Sequence, residues 1–282
     1  MKLTALIAGT ALAIAPLATT TLADGHADVK ALAIEALTET LGKLNADAVD
    51  TYFGPEYIQH NPMVPNGVDG LKGLIAQLAD GGTFESDFVR VIADGDLVAF
   101  HGRYDGFGPN PMISFDVFRV EDGKIVEHWD NLIDEAPLNP SGRSQIDGAT
   151  EIVDLDKTEA NKAKVLEFIT KSLIDHEEVN ITDYISPVTY IQHNPMVADG
   201  LEGFGAFMAQ MAEQGISMDY TKVHKVIGEG NFVLTMSEGT LGADAMAFYD
   251  LFRLEDGLIV EHWDVIAPMP GPDAPHNEAG KF

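Results

Sequence analysis

The chain has 282 residues with 45 Asp and Glu against 17 Lys and Arg, a formal charge of −28, which excludes partners that need a basic footprint, nucleic acid and anionic membranes. Cysteine is absent, so disulfides, thiolate metal sites and cysteine nucleophiles are excluded as well. With 45% hydrophobic residues the chain can bury full cores, and its length suits about two domains.

The first 23 residues read as an export signal. Lys2 is a short basic head, Leu3 to Leu17 an apolar stretch, and Thr21-Leu22-Ala23 a small-x-small cleavage site. Pro16 and the Thr19 to Thr21 run argue against a continuous core helix there. The apolar stretch also falls short of the ~20 residues that a membrane span needs. Cleavage after Ala23, with Ala27 as the alternative, predicts a soluble periplasmic or secreted protein with no membrane insertion after cleavage.

Val29, Leu32, Ala33, Ala36 and Leu37 recur at helical spacing and predict a first helix. A second, short helix ends near Tyr52, and a third spans roughly 68–79. Between these two, Tyr57 to Val64 reads YIQHNPMV, in which the proline forces Asn61 extended. Strands follow over Phe84 to Ala93, Leu97 to Tyr104, Met112 to Val120 and Ile125 to Ile133, with Glu121-Asp122-Gly123 as a hairpin turn. Helices first and an antiparallel sheet afterwards make an α+β unit, its helices packed on one sheet face.

Then the plan repeats. Tyr190 to Val197 reads YIQHNPMV again, 133 residues on. Phe252 to Asp264 reads FRLEDGLIVEHWD against FRVEDGKIVEHWD at Phe118 to Asp130, two differences in thirteen positions at an offset of 134. A repeat this long is a duplicated domain rather than a solenoid unit. The chain divides into the signal (1–23), a first domain (24–135), a Pro- and Gly-bearing linker (136–156), a second domain (157–268) and a proline-rich tail (269–282) expected to be loosely ordered.

This plan, with its YIQHNP segment and its terminal DGKIVEHWD strand, resembles the SnoaL-like (polyketide cyclase-like) branch of the NTF2-like superfamily, here in tandem. The resemblance covers both domains. It implies two NTF2-like cones, each with three N-terminal helices packed on a curved antiparallel sheet and each opening into an apolar pocket. Activities in the family include polyketide aldol cyclisation, ketosteroid isomerisation, dehydration and epoxide hydrolysis, beside many members without catalysis, so the fold does not fix the function. Single-domain relatives pair through an exposed sheet face. A tandem copy is therefore expected to form an intramolecular pseudo-dimer, as a monomer or as a homodimer of such chains.

An ionisable side chain on an otherwise apolar strand face is costly unless it is paired or lines a pocket. Strand alternation singles out His101, Asp116 and His128, and the HNP segment adds His60. A His and an Asp around one apolar pocket suit acid–base catalysis. In this reading Asp116 removes a proton next to a carbonyl, His101 holds an oxygen or a water, His60 and Asn61 orient the substrate, and His128 pairs with Asp116. Arg103, Ser114 and Phe118 share the same strand faces and join the candidate ligand-binding set. The resemblance implies the same division, a strand histidine with an aspartate on the next strand. Arg119, Arg253, Trp129 and Trp263 alternate away from these residues, the arginines toward neighbouring carboxylates and the tryptophans toward a core or interface.

The second copy keeps His193, Asn194, Asp250 and His262 as binding candidates. It has Met236 in place of His101 and Glu238 in place of Arg103, so the first domain is the better catalytic candidate. The expected function is a cofactor-independent lyase, isomerase or cyclase acting on a small hydrophobic or aromatic molecule. The alternative is a periplasmic protein that binds such a molecule without turnover. His60, His101 and His128 could together supply a zinc ligand set, but no HxH or HExxH spacing supports it, and neither metal nor other cofactor is expected.

Overall fold

The computed structural model describes residues 20–271 and 279–282. The expected export segment therefore lies almost wholly outside the described residues. Among these, no helix is long and apolar enough to cross a membrane.

The first repeat opens with α1 (Thr20–Leu37), whose Ala33, Ala36 and Leu37 form a buried stripe. The helix widens into a π turn over Thr38–Gly42, where the buried Thr40 hydroxyl donates to the Ala36 carbonyl at 2.6 Å. One turn, α2 (Val49–Tyr52), leads into β1 (Phe53–Gln59). Next, α3 (Gly67–Gly81) turns Leu71, Ile75 and Leu78 inward and ends at Gly82, whose φ of 70° suits a glycine cap. Four strands close the repeat: β2 (Glu85–Asp94), β3 (Leu97–Asp105), β4 (Met112–Glu121) and β5 (Lys124–Asp134). The β4–β5 turn places Asp122 and Gly123 at φ 49° and 72°, the paired positive values that a tight hairpin requires.

The second repeat follows the same order. It comprises α4 (Thr158–Phe168), β6 (Ile191–Gln192), α5 (Gly200–Glu213), β7 (Met218–Glu229), β8 (Phe232–Leu241), β9 (Asp244–Glu255) and β10 (Leu258–Pro268). The sheets run β1-β5-β4-β3-β2 and β6-β10-β9-β8-β7. The α+β class holds, with two details corrected. Each sheet is mixed rather than antiparallel, because β1 and β6 join β5 and β10 in parallel after long crossovers. The second helix shrinks to the four residues of α2 in the first repeat and to a 3-10 turn, Ile181–Asp183, in the second, since so short a segment cannot sustain a helix of its own.

Among the described residues, three cores hold the molecule. Helices cover one face of the first sheet around Val49, Ile75, Phe100 and Ile125. The second sheet is covered in the same way around Val165, Ile169, Phe248 and Ile259. The two remaining sheet faces meet each other, with Ile113, Phe115, Val117 and Trp129 packed into one cluster with Phe232, Leu234, Met236, Tyr249 and Trp263. Both faces of each sheet are thus buried, and β8 and β9 read as nearly continuous buried runs instead of alternating ones. Polar contacts pin this junction. Asn131 Nδ2 donates to the Ala247 and Val265 carbonyls at 3.0 and 2.7 Å, and Lys162 pairs with Asp94 at 2.6 Å.

The segment that follows each sheet docks on the opposite repeat. After β5, Asn139 Nδ2 donates to the Gln192 and Val197 carbonyls, and Arg143 pairs with Asp199 at 2.8 Å. After β10, the Gly280 carbonyl accepts from His60 Nδ1 at 2.9 Å. Of the tail expected to be loosely ordered (269–282), residues 272–278 lie outside the described residues, and only its end departs from that expectation, where Lys281 is 8% exposed and Phe282 stacks on His224 at 4.0 Å.

Candidate active site

The register decides which side chains meet. Asp116 on β4 lies opposite Phe100 on β3 and opposite Asp130 on β5, so these three share the helix-covered face. His128 and Phe118 are likewise a cross-strand pair on that face, their rings stacked at 4.5 Å. Gln59 ends β1 beside His128, and Asn61 follows in the turn before α3. Together these residues border a recess between sheet and helices, lined otherwise by Leu37, Phe53, Leu71, Phe84, Phe107 and Leu132. It encloses about 40 Å³, room for a few waters, and about 520 Å³ when its open mouth is counted.

The polar groups form one connected cluster. Asn61 N donates to Gln59 Oε1 at 2.9 Å, which fixes that oxygen as an acceptor. His128 Nδ1 lies 2.9 Å from the same oxygen and must therefore carry a proton. Its Nε2 faces Asp116 Oδ1 at 3.2 Å, so one proton is shared between the imidazole and the carboxyl. Asn61 Nδ2 donates to Asp130 Oδ2 at 2.6 Å. The two outer oxygens, Asp116 Oδ2 and Asp130 Oδ1, are buried and have no donor at hydrogen-bond distance among the described residues. One ligand atom from each of Asp116, His128 and Asp130 lies within 4.8 Å of the others.

Burial drives the charges of this cluster. It raises the Asp130 carboxyl above the ordinary carboxylate range, with the Asp116 charge adding to the rise and His128 and Lys281 opposing it. The Tyr57 and Tyr104 hydroxyls are held well above their usual value by burial first and by these carboxylates second. Burial thus favours the neutral form of Asp130 beside a partner that is bonded to His128.

Several sequence-level site assignments are corrected here. His101 does not face Asp116. Its cross-strand partner is Phe115, on which it stacks at 4.2 Å, and it points into the junction between the sheets. There Arg90 Nη1 donates to its Nδ1 at 3.2 Å, while burial and the Arg90 charge depress its basicity well below that of an ordinary histidine. Arg103, two residues along, sits on the same face and pairs with Asp105 and Glu135 instead of lining the recess. His60 also leaves the recess. It stacks on Trp129 at 5.0 Å, with Nε2 on Glu127 at 3.0 Å and Nδ1 on the Gly280 carbonyl. Ser114 is on the correct face but fully buried and outside the lining. A zinc set of His60, His101 and His128 is therefore not assembled, since two of the three rings face away from the third.

Asp130, Gln59, Tyr57 and Tyr104 belong to the site without having been candidates, although alternation puts Asp130 on the face of His128. Asp130 carried a signal, because it sits two residues from His128 on one strand and both repeats keep the pair. Two carboxylates and an imidazole are suitable donors for a divalent ion. Here, however, His128 Nε2 is directed at Asp116, and the Lys281 ammonium stands 3.9 Å from Asp130 Oδ1, so the cation already facing these carboxylates is a lysine.

The second repeat builds the same cluster and closes it. His262 Nε2 meets Asp250 Oδ1 at 3.1 Å, its Nδ1 meets Gln192 Oε1 at 3.2 Å, and Asn194 Nδ2 donates to Asp264 at 2.7 Å. The Tyr220 hydroxyl fills the remaining Asp250 oxygen at 3.1 Å, and Phe248, standing where the first repeat has Ser114, stacks on Tyr220 at 4.2 Å. His193 lies apart from this cluster, stacked on Trp263 and bonded to Glu261 and to the Ser144 carbonyl, as His60 is in the first repeat.

The SnoaL-like domain family matches the chain over residues 34–128 and 176–262, more than half of its length. The chain belongs to the SnoaL-like family. Among solved structures, TsrD from Streptomyces laurentii is 22% identical over 38% of this chain and 88% of its own, with a TM-score of 0.33. An M. tuberculosis LEH-like epoxide hydrolase is 23% identical over 38% and 84%, TM-score 0.32. A steroid delta-isomerase from Pseudomonas aeruginosa is 18% identical over 38% and 80%, TM-score 0.32. A search of curated proteins gives no match to this chain.

Proposed function

We propose that the first SnoaL-like repeat is a cofactor-independent acid–base catalyst for a small hydrophobic or aromatic carbonyl compound, acting as an isomerase, lyase or cyclase. The observation that carries this reading is the pair of buried carboxyl oxygens, Asp116 Oδ2 and Asp130 Oδ1, with no donor at hydrogen-bond distance among the described residues, at the wall of an apolar recess. A buried polar oxygen left without a hydrogen-bond partner is unfavourable unless a ligand supplies one.

The chemistry follows from the hydrogen bonds. With the shared proton on His128, Asp116 is an ionised base whose free Oδ2 takes a proton from carbon next to the carbonyl. In its neutral form, which burial favours, Asp130 delivers its proton to the carbonyl oxygen, giving an enol. Return of the Asp116 proton to a second carbon, with recovery of the oxygen-borne proton by Asp130, completes an isomerisation. Attack of the enol carbon on a second carbonyl, with the Asp116 proton passing to the new alkoxide oxygen and the enol hydroxyl proton returning to Asp130, completes a cyclisation. His128 stabilises the Asp116 carboxylate, and Gln59 holds the ring in the required tautomer.

The second repeat supports an asymmetric division of labour, since Tyr220 and Phe248 occupy the space around Asp250. The export reading of residues 1–23 is part of the proposal and gives the protein access to molecules outside the cytoplasm. The test is solvent deuterium exchange. Wild-type protein in D2O is expected to label the α-carbon of members of a panel of apolar cyclic ketones and enones, read by mass spectrometry. Asp116→Asn is expected to abolish labelling while retained ligands bind with similar affinity. Labelling by neither protein, with tight binding by both, would make this a binding protein.

A further inference from the structure

The two outgoing segments dock on opposite repeats in the same manner. The Ser144 carbonyl accepts from His193 Nδ1 at 2.8 Å, and the Gly280 carbonyl accepts from His60 Nδ1 at 2.9 Å. Two residues on, Ile146 and Phe282 both pack against the core between the sheets. The residue in between points inward in both cases. In the second repeat it is Gln145, 4% exposed and neutral. In the first repeat it is Lys281, 8% exposed and cationic.

Lys281 Nζ donates to the Asp130 carbonyl at 2.7 Å, on the edge of β5 where β1 has left the sheet, and stands 3.9 Å from Asp130 Oδ1. That oxygen has no donor at hydrogen-bond distance among the described residues. The Tyr249 ring lies 5.9 Å from the ammonium on its other side. Burial of an ammonium is costly without compensation, so the site retains Lys281 through this backbone bond and the neighbouring carboxylates. The charged residue is found at the repeat whose recess is open, and the neutral one at the repeat whose recess is filled.

We infer that Lys281 is a positioning residue of the first repeat's site, its ammonium holding the Asp130 carboxyl toward Asp116, so that a residue from beyond the second sheet completes the site of the first. The consequence for turnover rests on the acid–base reading of that site, whereas the contact itself does not. The titratable groups around Asp130 are Asp116 on β4, His128 on β5, Tyr57 on β1, Tyr104 on β3 and Tyr249 on β9. Lys281 is the group that the variants below remove.

The test follows the Asp130 carboxyl by carbon-13 NMR in the full-length protein, its signal assigned by Asp130→Asn. Lys281→Met and Lys281→Gln are expected to move the Asp130 titration up by about one to three pH units, the effect of losing an opposite charge at this range. Lys281→Arg is expected to restore it to within about half a unit. In the wild type the Lys281 Nζ nitrogen-15 signal is expected to record the same titration step, which needs no variant to fold. Absence of that step, or an Asp130 titration unmoved by folded Lys281→Met, overturns the inference. If the titration moves but no form of the protein labels a ketone with deuterium, the Lys281 assignment stands and the catalytic reading fails. If labelling persists and its pH profile ignores Lys281→Met, the catalytic reading stands and the positioning role fails.

Discussion

Asp116 and Asp250 occupy the same place in the two sheets, each with one oxygen on the histidine of an HWD triplet, but Tyr220 closes the second oxygen of Asp250 while that of Asp116 has no donor at hydrogen-bond distance among the described residues. The difference predicts opposite effects of mutation on labelling. Asp116→Asn is expected to lower deuterium labelling at least a hundredfold and to cost about 1–3 kcal/mol, since its charge-assisted contact to buried His128 at 3.2 Å is removed. Asp250→Asn is expected to leave labelling within twofold and to cost about 1–3 kcal/mol, since a charge-assisted contact to buried His262 is removed. Parallel urea titrations and labelling assays of both variants decide it, and equal loss of labelling in the two would defeat the asymmetric assignment.

His101 offers a complementary check. It is buried at the sheet junction, accepts one bond from Arg90, and leaves Nε2 without a partner. The second repeat places Met236 at the same position in the same packing. His101→Met is therefore expected to keep full labelling activity and to change stability by no more than about 1 kcal/mol, the lost bond offset by relief of an unsatisfied nitrogen. A large loss of activity in a normally stable His101→Met protein would return this residue to the site.

Arg90 does the opposite kind of work. Its guanidinium donates to the carbonyls of Ile146, Asp147 and Ala149 and lies 4.2 Å over Trp263, fastening the linker to the second repeat. Arg90→Met is expected to cost about 3 kcal/mol or more, because three carbonyls lose donors together. Lysine is expected to rescue little, since a point charge cannot reproduce the planar fork. Hydrogen exchange should report the loss locally, as faster exchange in residues 144–150, and unchanged exchange there would contradict the fastening role.

The duplication, the strand order after α3 and the Asp-Gly hairpins were legible because each rests on local chemistry, a repeated motif or a backbone angle. The Asp116–His128 pair was legible for the same reason, twelve residues apart across one hairpin. The face of His101 was not. Alternation along a strand separates two faces without telling which one meets the helices, and here both faces of the sheet are apolar. Only the register, with Phe100 rather than His101 opposite Asp116, resolves it. Lys281 was out of reach for a related reason, since a lysine in a proline-rich tail reads as solvated until a long-range contact buries it.

Asp264 provides a pH-dependent test in the second repeat, away from the proposed chemistry. Burial, aided by the Asp250 charge, raises its carboxyl from 3.8 to about 6, while His262, Asn194 and His193 oppose the rise. A carboxyl raised on folding means that the native state binds more protons than the unfolded state between those values. Its contribution to stability is therefore complete below about pH 4 and is lost as pH rises through 6. His262 acts in the same direction. Burial lowers its basicity, but the Asp250 bond and the Asp264 and Asp250 charges outweigh this, so its folded value is raised and its contribution also fades with rising pH. Asp264→Asn keeps an acceptor for Asn194 and removes both effects in part. Relative to wild type, the variant is expected to gain on the order of 2 kcal/mol between pH 4.5 and pH 7.5. Urea midpoints measured across that range should diverge steadily, and parallel pH profiles for the two proteins would show that Asp264 is ionised in the native state throughout.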